Sequence, residues 1–191
     1  MRLIVGITGA TGAIYGIRIL EALRDKGVES CLVVSRWGEK TIAAETPYSV
    51  EQVKALSTRW YDPADLGAPI SSGSYPTAGM VVAPCSMKTL AAIASGYSDN
   101  LLARAADVTI KEHRPLVLVA RETPLNAIHL ENMLKLARLG VTIMPPAPAF
   151  YCRPQSIDDV VNHVVGKVLD SFSIDHNLFR RWGTCDEVRE G

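Results

Sequence analysis

Short runs of branched aliphatic residues alternate along the chain with longer stretches in which apolar positions recur at helical spacing. The apolar runs are Leu3–Ile7, Cys31–Val34, Met80–Ala83, Leu116–Val119 and Val141–Met144. Continuous runs this short suit strands buried on both faces, as in a parallel sheet covered by helices. The alternation therefore predicts an α/β fold of three layers with a mostly parallel sheet at its centre.

Between the strands the helical signals are specific. Gly16, Ile19, Leu20 and Leu23 form one stripe, closed by Gly27. Ser49 with Gln52, and Ser156 with Asp159, have the spacing of capping boxes, and the second opens a helix that turns Val160, Val161, Val164, Val165, Val168 and Leu169 inward. A further helix is predicted from about Asn126 to Leu139, ended by Gly140. Ser71–Pro76 and Pro145–Pro154 read as loops. Without an internal repeat or a composition break, residues 1–191 are expected to form one domain.

Composition changes the picture mainly by exclusion. The chain has 191 residues, with 20 Lys and Arg balanced by 20 Asp and Glu, 48% hydrophobic and 21% charged. That balance excludes a disordered or collagen-like chain and binding driven by bulk charge. With 6% aromatic residues and no dense basic run, a nucleic-acid surface is not expected. The length leaves no room for separate cofactor and substrate domains, so a site must lie within one core or be completed by neighbouring subunits. Cys31, Cys85, Cys152 and Cys185 form no CxxC pair and read as reduced thiols. The N-terminal pattern is not that of a signal peptide, and no apolar run approaches the ~18 residues that span a bilayer. A cytoplasmic location away from the membrane follows as an expectation.

In an open parallel sheet, ligands sit beyond the carboxyl ends of the strands. After the first strand, Gly6, Gly9, Gly12 and Gly16 mark either a phosphate cradle at a helix start or a tight turn with close helix packing. The GxxGxxG spacing is not the dinucleotide fingerprint, and the second strand ends in Ser35-Arg36-Trp37 rather than a ribose-binding acid. A nucleotide or flavin phosphate is favoured over NAD. The next strand end carries Ser86, Met87, Lys88 and Thr89, whose hydroxyls suit either helix capping or a ligand. Cys85 reads as a buried filler.

Arg121 and Glu122 follow a buried strand directly, where a charged pair is costly unless it meets a ligand or partner. Arg104 and Lys111 share a helix face, for which a solvated surface is the default. Tyr151, Lys167 and Trp182 are weak signals singly. The histidines His113, His129, His163 and His176 show no metal-ligand spacing, so no metal is expected; His129 reads as a structural hydrogen-bonding residue.

Together, the segments TGATGAxYG, PCSMKTLAAIAxG, NLLxRAADVxxKExRPLVLVxRExPL, IHLENMLKLxxLG and PAFYxxPQSxxDxV closely resemble the UbiX-type flavin prenyltransferases, including the small subunit of bacterial hydroxyarylic and phenolic acid decarboxylases. The resemblance runs from Leu3 to about Gly183. It implies a flavodoxin-like fold and a dodecamer with active sites at subunit junctions, where the tail from about 173 to 191 lies on or near a neighbour. It also implies metal-free transfer of a dimethylallyl group from dimethylallyl monophosphate to N5 and C6 of reduced FMN. The product, prenylated FMN, would serve a UbiD-type aromatic acid decarboxylase.

Carried over by position, the resemblance implies that Gly9, Ala10, Thr11 and Ser35 line the flavin site. Ser86, Met87, Lys88 and Thr89 would cradle FMN, with Arg104 and Arg121 beside it. Lys111, Arg121, Tyr151, Lys167 and Trp182 would surround the dimethylallyl phosphate. Glu122 would manage protons, with Lys111 as its catalytic companion. Thr11 stands where many relatives have Ser, Lys167 where some have Arg, and Leu66 where Trp can occur. The flavin-dependent cysteine decarboxylases are a poorer match, because the first histidine is His113 and Lys88 replaces their Asn. A non-catalytic FMN-binding subunit would have no use for the second phosphate site.

Overall fold

The structure is a computed structural model describing residues 1–183. Six strands form one sheet: β1 Arg2–Ile7, β2 Glu29–Val34, β3 Arg59–Tyr61, β4 Gly79–Cys85, β5 Leu116–Ala120 and β6 Thr142–Ile143. Their order is β3-β2-β1-β4-β5-β6, and every pairing is parallel. The sheet is doubly wound, reversing direction between β1 and β4. The expected α/β class and its parallel sheet are thus observed.

Five strands fall on the apolar runs. The sixth, β3, was not predicted: its residues Arg59, Trp60 and Tyr61 form a three-residue edge that is mostly exposed and lacks an apolar run. Short edge strands carry little burial signal. At the opposite edge, the expected Val141–Met144 strand contracts to two paired residues.

Among the described residues, seven helices cover the sheet: α1 Ala13–Asp25, α2 Arg36–Glu45, α3 Val50–Leu56, α4 Met87–Ser95, α5 Leu101–Lys111, α6 Ala127–Arg138 and α7 Ile157–Asp170. Both predicted capping boxes form, Ser49 with Gln52 and Ser156 with Asp159. A third joins Asn126 to His129, whose Nδ1 accepts the Asn126 N–H, so His129 is the structural hydrogen-bonding residue expected. Of the segments expected to be loops, Pro145–Pro154 contains a 3₁₀ turn at Phe150–Cys152, and Ser71–Pro76 follows directly from one at Pro69–Ser71.

Two apolar clusters lie on opposite faces of the sheet. One joins α1, α2, α3 and α7 to Leu3, Val5, Ile7, Leu32 and Val34. The other joins α4, α5 and part of α6 to Ile4, Val33, Met80 and Val82. Alternate residues of β1 thus feed different layers, and each buried Leu or Ile contributes about 1.5–3 kcal/mol. The helices that follow β1, β2 and β4 all begin at the same end of the sheet, and the first turns of α2 and α4 border one opening.

Candidate active site

A cleft of about 700 Å³ lies beyond the carboxyl ends of β1, β2 and β4. Gly9, Ser35 and Trp37 form one wall, and Ser86, Lys88 and Thr89 form another. Pro63, Ala64, Ala92, Leu102 and Ala103 supply an apolar surface between and beyond them. This volume is of the size that takes a cofactor or drug-sized ligand.

Two helix starts face the opening. Ser35 caps α2 by accepting the Gly38 N–H at 3.0 Å. Ser86 caps α4 by accepting the Thr89 N–H at 3.3 Å, and donates its own O–H to the Thr89 hydroxyl at 3.1 Å. Both serines therefore serve the helix while lining the cleft, so the capping and ligand readings of these hydroxyls are compatible. The positive ends of two helix dipoles favour an anion here.

Gly9 admits the close approach of α2. A Cβ built on it would lie 2.3 Å from the Trp37 Cβ, which no side chain tolerates. The glycine thus brings the β1 loop against Trp37, whose ring is exposed at the cleft and carries the Lys40 ammonium 4.4 Å from its centroid. The start of α1 is used differently from the phosphate-cradle reading. The Gly12 and Ala13 N–H groups donate to the Glu45 carboxylate at 2.7 and 3.2 Å, so an anion of the chain itself occupies that helix end.

Thr8, one residue before Gly9, is buried and ties two strand ends together. Its hydroxyl accepts the Ser86 N–H at 2.8 Å and donates to the Pro84 carbonyl at 2.7 Å. Sequence reasoning read this segment for its glycines and missed Thr8, Trp37 and Glu45. The first two had a signal in their places beside Gly9 and Ser35; Glu45 had none.

Of the other predicted residues, Ala10 and Thr11 lie in the loop between Gly9 and α1, and Met87 packs inward against the α4–α5 core. The Arg121 N–H donates to the Cys85 carbonyl at 3.1 Å, which sets Arg121 and Glu122 beside the start of α4. Glu122 accepts the Thr123 N–H through Oε1 at 3.0 Å. Cys85 is the inert filler expected, because complete burial pushes its thiol up to about 12. Leu66 is exposed in the turn whose Pro63 and Ala64 reach the cleft.

Within one chain the remaining residues do not converge on the cleft. Arg104 donates to the Ser71 carbonyl and pairs with Asp107. Lys111 ends the eleven-residue α5, about 12 Å along the helix from Ala103 at the cleft, and pairs with Glu112. None of Tyr151, Lys167 and Trp182 lines the cleft; they gather around α7, which packs on α1. There the Trp182 ring meets Tyr151 edge-on at 5.3 Å, and Lys167 lies 3.8 Å from Asp170. Among the described residues, no group of three or more His, Cys, Asp and Glu side chains could hold a metal ion. No described helix is long and apolar enough to cross a membrane.

The doubly wound sheet and its strand-end cleft, with two helix starts for an anion and an apolar surface beside them, define an α/β protein built to take an anionic, nucleotide-like cofactor. The Flavoprotein family model matches residues 1–169. The chain is 56% identical over 190 residues to a probable UbiX-like flavin prenyltransferase of Escherichia coli O157:H7, covering 99% of this chain and 96% of that one. It is 54% identical over 190 residues to the flavin prenyltransferase UbiX of Thauera aromatica, covering 100% and 97%. The chain belongs to the UbiX-type flavin prenyltransferase family.

Solved structures agree. A crystal structure of AnUbiX in complex with FMN and dimethylallyl pyrophosphate matches with a TM-score of 0.95 and 52% identity, covering 97% of this chain and 98% of that one. A dodecameric FMN-dependent UbiX-like decarboxylase from Escherichia coli O157:H7 matches with a TM-score of 0.94 and 58% identity, covering 95% and 99%. An FMN-dependent cysteine decarboxylase of thioviridamide biosynthesis shares the fold alone, at 15% identity over 91% of this chain and 98% of that one, with a TM-score of 0.66.

Proposed function

We propose that this chain is a flavin prenyltransferase that joins a dimethylallyl group to reduced FMN and works as a homododecamer. The observation that carries the reading is the near-complete match to AnUbiX, solved with FMN and dimethylallyl pyrophosphate, in a chain whose own cleft is shaped for a flavin phosphate and ring. Reduced FMN supplies the nucleophilic positions N5 and C6. Ser35 with the α2 start, and Ser86, Lys88 and Thr89 with the α4 start, hold its phosphate and polar edge. Gly9 with Trp37, and the Ala92–Leu102–Ala103 surface, bound its apolar parts.

The donor needs stabilisation of the charge that develops as its allylic C–O bond breaks and phosphate leaves with the electron pair. Preorganised cationic and phenolic donors in a water-poor pocket serve that need. Arg121 is beside the cleft in each chain, whereas Lys111, Tyr151 and Lys167 lie away from it. Neighbouring copies therefore complete the second phosphate site in this reading, and Trp182 closes over it. Holding donor and acceptor together replaces a difficult encounter by a positioned one. Glu122, exposed at the end of β5, takes and returns protons at the reacting groups. The product passes to a UbiD-type decarboxylase, and the free thiols of Cys31, Cys85 and Cys152 suit a cytoplasmic setting.

The test is anaerobic incubation with reduced FMN and either dimethylallyl monophosphate or the pyrophosphate, without added metal. The expected result is a flavin heavier by one dimethylallyl unit by mass spectrometry, with the monophosphate as donor. Recovery of unmodified FMN from both arms, while a control enzyme turns over, overturns the reading. Glu122→Gln should retain FMN and lose turnover.

A further inference from the structure

Tyr151 lies in the 3₁₀ turn Phe150–Cys152, and its ring is held from two sides. Trp182 meets it edge-on, and His163 of α7 meets it nearly perpendicular, with centroids 5.9 Å apart and planes at 84°. The His163 Nε2 is 3.4 Å from the Tyr151 hydroxyl oxygen. Phe179 covers the imidazole at 4.6 Å between centroids. The other imidazole nitrogen, Nδ1, is buried without a hydrogen-bond partner.

That asymmetry decides the tautomer. A buried N–H without an acceptor forfeits a hydrogen bond that water would have made, and orphaned buried N–H groups are rarer than under-satisfied acceptors. The bare nitrogen is therefore Nδ1, and the proton sits on Nε2, an assignment from partnering. The Nε2–H then donates to the Tyr151 oxygen. Tyr151 keeps its own O–H to donate elsewhere, instead of spending it on the imidazole.

The surroundings keep the imidazole in this neutral form. Burial pushes its pKa down first, and the Lys167 ammonium one turn further along α7 adds to that; the Asp170 carboxylate opposes both. Tyr151 itself is raised, by burial first and then by Cys152, with Arg181 opposing, so it remains a protonated phenol near neutral pH.

We propose that His163 is a positioning residue: its Nε2–H holds the Tyr151 oxygen so that the phenol O–H points at the phosphate of the dimethylallyl donor. This rests on the reading of Tyr151 and Lys167 as donor-phosphate residues. His163 touches neither flavin nor donor. It acts by fixing which way Tyr151 donates.

The test uses FMN-loaded protein in its native assembly, titrated calorimetrically with dimethylallyl monophosphate, alongside anaerobic turnover. His163→Phe keeps an aromatic ring between Tyr151 and Phe179 but removes the donor. Donor affinity should fall about fivefold, the scale of one hydrogen bond, with FMN affinity unchanged. In a Tyr151→Phe background the same substitution should have no further effect. His163→Gln, which retains an N–H donor, should recover most of the affinity.

An equal loss from His163→Phe in both backgrounds, or a parallel loss of FMN affinity, overturns the proposal, since a merely structural role would give that result. If His163→Phe does not fold, His163→Gln and His163→Met measured with and without Tyr151→Phe read the same coupling. Wild-type protein that binds no donor and makes no prenylated flavin overturns the underlying reading as well. Wild-type protein that works, with uncoupled variants, overturns this inference alone.

Discussion

The Thr8 hydroxyl accepts the Ser86 N–H at 2.8 Å, joining the end of β1 to the first residue of the α4 cap. The same hydroxyl donates to the Pro84 carbonyl at 2.7 Å, so one buried oxygen fixes the spacing of the two strand ends that flank the cleft. Thr8→Val keeps the shape and removes both bonds, leaving the Ser86 N–H without its acceptor. Stability should fall by about 1–3 kcal/mol in urea unfolding. FMN affinity, followed by flavin fluorescence, should weaken in parallel, whereas Thr8→Ser should do little. A Thr8→Val variant that binds FMN normally would show that this spacing does not control the cleft.

Glu45 supplies the anion at the start of α1 that the glycine-rich loop alone lacks. Removing it in Glu45→Ala exposes the Gly12 and Ala13 N–H groups, at a cost of about 1 kcal/mol, as for other lost helix caps. Glu45→Gln should retain part of the capping and lose the charge–dipole contribution, so it should fall between the two. Chemical denaturation of the three proteins at low and moderate salt gives the ranking and its screening.

Gly9→Ala tests the approach of the β1 loop to α2. The added methyl group would lie 2.3 Å from the Trp37 Cβ and 3.2 Å from its backbone carbon, so the loop or α2 must move. FMN affinity should fall at least tenfold, or about 1.4 kcal/mol. Isothermal titration with FMN measures this directly, and an unchanged affinity would show that the contact yields easily.

Asp170 organises the segment after α7. It accepts two bonds from Arg181 at 2.8 and 3.1 Å and lies 3.1 Å from the buried His176. The Arg181 hydrogen bond, opposed by burial and aided by His176, holds the Asp170 carboxyl below its usual 3.8. A carboxyl lowered in the folded state contributes stability that is fully present above the usual value and is lost as pH falls through the lower one. Hydrogen-exchange protection of residues 171–183, taken relative to the intrinsic rate at each pH, should therefore hold down to about pH 4 and fall below it. Asp170→Asn should show faster exchange already at neutral pH and a flatter acid response.

Much of the fold is legible locally. The apolar runs locate five strands because a strand buried on both faces must be apolar throughout. The Ser49, Asn126 and Ser156 helix starts are readable because capping acts within four residues. β3 escaped because an exposed edge of Arg59, Trp60 and Tyr61 need not look apolar. Gly9, Ser35, Ser86, Lys88 and Thr89 could be assigned to one cleft because parallel strands place their ends together. Lys111 could not be placed, since its distance from that cleft depends on which end of α5 faces it.

By itself, then, the chain's pattern determined the parallel α/β architecture, the helix boundaries, the strand-end residues of the cleft and, through its motifs, the family. These follow from periodicity, caps and short-range spacing, which act between residues close in sequence. Tertiary structure alone decided that Thr8 couples β1 to α4, that Glu45 takes the start of α1, and that His163 and Trp182 bracket Tyr151. It also put Tyr151 and Lys167 beside α7, away from the strand-end cleft. Each depends on which surfaces bury against one another, a choice made by the packing of whole layers.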